Sequence, residues 1–237
     1  MHSPVQRLDD FATGMRAILP LLIAVIPVGA VFGTVAATKG MSAFEAVLMS
    51  AMVFAGGSQF VALDLWTHPA SWTVIGFAAL LVNMRHVLMG GSIADKMGRF
   101  SLLQRWAAML FLADEIWAMA EARARTVTGL SPAWYAGIVA PFYGAWVLST
   151  LAGAALGATL GDPAVIGLDF AFPAVFIVLI LGFWKGRATA AIIGASAVAA
   201  LIIQQTTNGV WYIIAGAAAG LLCAAFVESE SVEGEEP

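Results

Sequence analysis

Apolar residues fill most of this chain in long blocks separated by short polar punctuation, and the block lengths predict its elements. A helix needs roughly 20 apolar residues to cross the hydrocarbon of a bilayer, whereas barrel strands alternate over about ten. The blocks here are of the first kind. They predict a polar lead over 1–14, spans over 15–38, 42–66 and 72–93, an ambiguous segment over 102–120, and a long run over 132–160. Runs over 168–184, 188–204 and 210–227 complete a single all-α, polytopic domain over 15–227 with seven or eight transmembrane helices. The acidic end, 228–237, is expected to be a solvated, disordered tail.

Several interruptions inside the blocks carry more information than the blocks. Pro20 and Pro27 fall in the first span, and a proline in mid-helix removes a backbone donor and crowds the carbonyl four residues earlier, so Pro27 should kink or break it. Gly29 and Gly33 then offer a small-residue face for a neighbouring helix. In the second span Ser42 and Glu45 predict a capping box, and Gly56, Gly57, Ser58 and Gln59 predict an opened helix. Irregular backbone at membrane depth persists only under cover of protein or beside water, so this stretch points to a buried polar site, paired with the break at Pro27 in one cavity. The plainer alternative is a close helix crossing at the glycine pair.

Asn83, Arg85 and His86 lie in the third span. At 100° per residue Asn83 and His86 share a face, with Arg85 about 160° from Asn83, so the three do not converge on one spot in a regular helix. Arg85 either snorkels to the interface or turns inward to a carboxylate. Asp114 and Glu115 sit two-thirds along 102–120, where two carboxylates in lipid would be costly; they line a cavity, or the segment is partly interfacial. Prolines early in 18–25 and 170–177 suggest an inverted repeat, although chance similarity between two apolar runs explains them more simply.

Composition narrows the class. Hydrophobic residues make up 61% and charged residues 11%, with mean hydropathy +0.89, far from the roughly 25% charge of a soluble domain. This is an integral membrane protein, expected in the cytoplasmic membrane without a cleaved signal peptide. The net charge of −4 reflects five glutamates in the tail and indicates no nucleic-acid partner. Cys223 is the sole cysteine, which excludes an intrachain disulfide. No phosphate-binding Gly-x-x-x-x-Gly-Lys loop, His-Glu-x-x-His pair or Gly-x-Ser-x-Gly turn occurs, so an ATP-driven pump and a hydrolase lack support; no metal or cofactor is expected. Lys96, Arg99, Arg105, Arg123 and Arg125 fall in two successive loops, and both are cytoplasmic only if 102–120 does not cross fully.

What remains within the spans is amides, hydroxyls, one histidine and one acidic pair. Opened-helix N–H groups suit a carboxylate, and carbonyls or a carboxylate suit an ammonium, so an amino-acid zwitterion is a chemically sensible ligand. The candidate binding residues are Pro27, Gly29, Gly56, Gly57, Ser58, Gln59 and Asn83. His86, Asp114 and Glu115 are candidates to carry a coupled proton, His86 foremost because imidazole is the side chain that titrates nearest neutral pH. Arg85 is their candidate charge partner.

The motif series Pro20-x6-Pro27-Val-Gly-Ala-Val-Phe-Gly33, Ser50-Ala-Met-Val-Phe-Ala-Gly-Gly-Ser-Gln59, Asn83-Met-Arg-His86 and Asp114-Glu115 resembles the AzlC family, the large subunits of branched-chain amino acid exporters. The resemblance covers 20 to about 222. It implies a secondary exporter of branched-chain and similar small apolar amino acids, working with a small, separately encoded AzlD-type membrane subunit. Two other readings stay open at this level: a channel with a re-entrant filter in the second span, and a non-transporting structural subunit of a membrane complex.

Overall fold

The computed structural model describes residues 4–67, 69–157, 159, 170, 177, 180–181, 184, 186–207 and 210–233; the predicted span 168–184 and the second half of the suggested repeat fall largely outside these. Among the described residues every regular element is helical: α1 (Pro4–Thr38), α2 (Ala43–Val53), α3 (Gly56–Asp64), α4 (Trp72–Asn83), α5 (Arg85–Ala94), α6 (Leu102–Leu110), α7 (Asp114–Ala124), α8 (Pro132–Gly157), α9 (Arg187–Thr206) and α10 (Trp211–Glu233). Among the described residues, four helical stretches are long and apolar enough to span a membrane: Leu8–Thr38, Trp72–Met97, Pro132–Gly157 and Arg187–Thr206. The predicted spans over 42–66 and 102–120 are instead each split into two short helices.

The chain divides into two compact units, Met1–Asp64 with Asn83–Asp169, and Leu65–Val82 with Phe170–Pro237. In the second unit α9 and α10 run antiparallel, Gly216 lying against Ser196 and Ala200 while Gly220 lies against Ser196 and Ile192. Edge-on aromatic pairs, Trp66 with Trp72 and Phe77 with Trp211, complete the packing described there.

The first unit is framed by α1 and α8, which lie side by side and parallel. Gly14 meets Trp134 and Gly137, Gly29 meets Trp146 and Ser149, Gly33 meets Thr150 and Ala154, and Gly157 meets Thr34, so the contacts advance in the same direction along both helices. Helices in lipid gain little from hydrophobic burial against each other, and close backbone approach with hydrogen bonding replaces it. Thr34 Oγ1 donates to the carbonyls of Ala30 and Gly153 at 3.0 Å each, and at the N-terminal ends Ser131 Oγ donates to Asp10 at 2.6 Å. The small-residue face predicted at Gly29 and Gly33 is thus the seat of α8.

The break expected at Pro27 does not occur. α1 continues through Pro20 and Pro27 as one helix, and both prolines are exposed, on the side away from α8. Glycine contacts along the opposite face tie the helix to α8 before and after each proline, so the lost hydrogen bonds are absorbed without interruption.

Two broken segments fold against this frame as helical hairpins. Gln59, nine residues beyond Ser50, touches it at 3.1 Å, where a straight helix would separate them by about 13.5 Å, so α2 and α3 double back. The predicted capping box opens this hairpin: Glu45 accepts from the Ser42 N–H at 2.7 Å while the Ser42 hydroxyl accepts from the Glu45 N–H. Its entry, directly after Thr38, lies at the C-terminal ends of α1 and α8. The second hairpin, α6 with α7, has its base at the opposite ends: Leu130 N–H donates to Lys96 O at 2.9 Å, and Lys96 Nζ donates to both Glu121 oxygens, at 2.5 and 2.6 Å. Helices of nine and eleven residues rise about 14 and 17 Å, roughly half a hydrocarbon core of about 30 Å, so each arm reaches mid-depth and returns.

A Cβ at position 153 would collide with the backbone of Ala30, whereas one at position 144 would meet nothing. Gly153→Ala is expected to destabilise the purified protein by about 1–3 kcal/mol by prying the frame apart. Gly144→Ala is expected to be neutral, and thermal unfolding in detergent measures the difference.

Candidate functional site

The two hairpin tips meet at the middle of α8. Phe54, at the first tip, has φ 35° and ψ 42°, a left-handed conformation that costs a residue with a Cβ about 1–2 kcal/mol. Packing holds it there: its ring centroid lies 5.1 Å from that of Tyr143, 6.1 Å from Phe142 and 6.3 Å from Phe111, the first residue of the second tip. Phe111 and Tyr143 are in turn 5.2 Å apart. Tyr143 also donates its hydroxyl to the Ala51 carbonyl at 3.0 Å, near the end of α2.

The opening in the second segment therefore falls at Phe54 and Ala55, before the stretch where the glycine pair placed it. Gly56, Gly57, Ser58 and Gln59 form the first turn of α3. The reason is steric: Gly56 lets Trp146 approach, a Cβ there lying 3.2 Å from its ring, while the aromatic cluster supports the strained turn at Phe54. The polar side chains of this turn are engaged within the hairpin and with α8. Ser58 Oγ donates to the carbonyl of Ala55 at 2.9 Å, and the same carbonyl accepts from the Gln59 N–H at 3.0 Å. Trp146 Nε1 donates to Gln59 Oε1 at 3.1 Å, Gln59 Nε2 donates to Ser50 Oγ at 3.1 Å, and Ser50 lies 2.8 Å from Thr150 Oγ1. An indole N–H only donates, which fixes the amide orientation, while either hydroxyl can donate between Ser50 and Thr150. All four residues are buried.

The break in the second hairpin, 111–113, carries the acidic pair. Asp114 and Glu115 occupy the first turn of α7, where carboxylates complement unpaired N–H groups and the helix dipole. α5 runs parallel to α7 and clamps the tip. Arg85 Nη1 pairs with Asp114 Oδ2 at 2.9 Å, so the inward alternative for Arg85 is the one adopted. His86 Nε2 lies 3.1 Å from Leu112 O and its Nδ1 3.2 Å from Asn83 O. Neutral imidazole has one N–H to give and satisfies one of these carbonyls, whereas imidazolium donates to both. Arg85 and His86 escape the single-face restriction by addressing different residues of the tip, and α4 gives way to α5 at Met84, between Asn83 and Arg85. Two buried polar atoms beside the clamp, Asn83 Oδ1 and Arg85 Nε, have no hydrogen-bond partner among the described residues.

Of the candidates named from sequence, Gly56 to Gln59 lie at one tip, and Asp114 and Glu115 at the other with Arg85, His86 and Asn83. Pro27 faces outward, and Gly29 is a contact point of α1 on α8. Sequence reasoning passed over Phe54, Phe111, Tyr143 and Trp146, whose roles depend on residues far along the chain. The break at 111–113 had a usable signal, since adjacent acids after an apolar run mark a helix start.

At the hairpin base, partial burial pushes the Glu121 carboxyl up, but hydrogen bonds from Lys96 and Ser92 and the charges of Lys96 and Arg125 outweigh it and hold the group below the ordinary carboxylate range. A depressed carboxyl contributes stability above its unfolded value and loses it as pH falls through the folded one. The base clasp is thus an acid-labile contact.

Opposed, interrupted hairpins around buried polar groups define a multi-pass helical membrane protein of the broken-helix kind. The family model described as "AzlC protein" matches residues 20–160, more than half of the chain, and the protein belongs to that family. It is 33% identical to Inner membrane protein YgaZ of Escherichia coli (strain K12) over 79% of this chain and 80% of that one. It is 34% identical to a membrane protein of Archaeoglobus fulgidus over 94% and 97%, and 28% identical to the Branched-chain amino acid transport protein AzlC of Bacillus subtilis (strain 168) over 73% and 68%. No solved structure matches. The protein is accordingly a multi-pass protein of the cytoplasmic membrane from a transport family.

Arg85→Gln strands the Asp114 carboxylate at the tip and is expected to cost about 1–3 kcal/mol, between exposed and buried pairs. Adding Asp114→Asn should recover most of that loss. Thermal unfolding of the two single variants and the double one forms the cycle that checks it.

Proposed function

We propose that the protein is a secondary transporter that exports branched-chain and similar small apolar amino acids, coupled to protons, as the large subunit of a pair completed by a small AzlD-type membrane protein. Membership of the AzlC family supports the class, and the name of the Bacillus subtilis relative supports the substrate. The observation that carries the reading is the meeting of two unlike helix starts at mid-depth. α3 begins with Gly56 and Gly57 and has no acid in its first turn, so its free N–H groups suit a substrate carboxylate. α7 begins with Asp114 and Glu115, which suit an ammonium. Phe54, Phe111 and Tyr143 supply apolar surface between them for a short aliphatic side chain. With Asp114 held by Arg85, His86 and Glu115 remain as groups to exchange a proton, and His86 is the one whose hydrogen bonding to the tip changes with its charge.

The re-entrant form of both hairpins also suits a channel, and the aromatic contact between the tips favours a closed, alternating site instead. Uptake and efflux of labelled leucine, methionine and lysine in proteoliposomes, with and without the small subunit, separates the readings. Saturable leucine counterflow that needs the partner is expected; flux that never saturates is the channel's signature. Gly57→Leu should insert normally and abolish counterflow. His86→Gln should lose leucine flux driven by an imposed pH gradient while counterflow persists, and normal gradient-driven flux in that variant would remove His86 from the coupling role.

A further inference from the structure

Away from the hairpin tips, a polar cleft of about 570 Å³ lies between residues 95–99 and the loop 124–129, at the base of the second hairpin. Its lining includes Lys96, Arg99, Arg125, Thr128 and Gly129, with Asp95 as the one acid. The hydrogen bond from Leu130 N–H to Lys96 O joins the two walls, and Gly129, at φ 76°, turns the loop beside the stem of Arg99.

The charges in this cleft are unevenly matched. Lys96 is spent on Glu121, whereas among the described residues neither Arg99 nor Arg125 has a carboxylate within ion-pair distance. Two guanidiniums sharing one opening repel each other until an anion enters, and their planar forks fit phosphate oxygens pairwise. Next to the cleft, α6 exposes Leu102, Leu103 and Trp106, at 73%, 79% and 68%. An apolar ramp carrying a tryptophan leads from the arginines along a hairpin arm that rises to mid-depth, which is the arrangement an amphiphile needs and a soluble anion does not.

We propose that this cleft binds an anionic membrane lipid, its phosphate between Arg99 and Arg125 and its acyl chains along Leu102, Leu103 and Trp106. The lipid then bridges both walls of the hairpin base beside the Lys96–Glu121 clasp. The site is independent of the transported substrate, so its test needs no transport.

The full chain, purified in neutral detergent, is titrated with phosphatidylglycerol, phosphatidylcholine or inorganic phosphate while thermal unfolding and lipid retention by native mass spectrometry are followed. Phosphatidylglycerol is expected to raise the unfolding midpoint and to remain as a one-to-one adduct. The exposed-residue variant Arg99→Gln/Arg125→Gln should weaken retention by roughly tenfold or more, equivalent to about 1.4 kcal/mol. Arg187→Gln, which removes a cation elsewhere, should leave it unchanged. An equal effect of phosphatidylcholine, or undiminished retention in the double variant, overturns the site. An equal effect of inorganic phosphate reassigns the ligand to a soluble anion and overturns the lipid.

Discussion

A backbone in hydrocarbon has no water to bond to, and the first unit of this protein is organised by that constraint. Chain that leaves helical geometry at membrane depth must have its polar groups answered by protein, or the segment is expelled. Here answers come from across the fold: the Tyr143 hydroxyl of α8 covers the carbonyl at Ala51, and the His86 imidazole of α5 lies against the one at Leu112. Each interruption is stabilised by an element other than its own, so the tips are held in place only when the frame and both hairpins are present together.

The frame itself is made by subtraction. Glycine and small hydroxylated residues let α1 and α8 approach until backbone touches backbone, and this closeness brings the middle of α8 within reach of both tips. Bulky side chains gather at the junction, where Phe54, Phe111, Phe142 and Tyr143 fill the space between the two tips. Small residues and large ones thus have largely separate duties along the same helix: Gly137, Ser149 and Gly153 of α8 face α1, Phe142 and Tyr143 meet the hairpin tips, and Trp146 serves both, stacking on Phe32 of α1 while it bonds Gln59.

Much of this could be read from residue order alone. Length and apolarity gave the helical membrane class, Ser42 with Glu45 gave the start of α2, and the small residues around Gly29 and Gly33 gave a helix contact. The interruption in the second segment was legible, but its position was not, because glycine was taken as the hinge when a phenylalanine backed by distant rings serves instead. Pro27 misled for the complementary reason: a local breaker is overridden when the rest of the helix is fastened. Arg85 is legible as a candidate charge partner of the acidic pair, but which carboxylate it takes is not: Asp114 lies 29 positions away, and the pair exists because α5 and α7 run side by side.

The long sequence separations between the first hairpin and α8 bear on biosynthesis. Ser50 meets Thr150 and Gln59 meets Trp146, across 100 and 87 residues. At about 5–20 residues per second the ribosome needs roughly 5–20 seconds to supply those partners after the hairpin has emerged. During that interval an open turn with a buried amide enters the bilayer incomplete. Until α8 arrives, the polar groups of Ser50 and Gln59 lack the Thr150 and Trp146 partners that satisfy them in the folded chain.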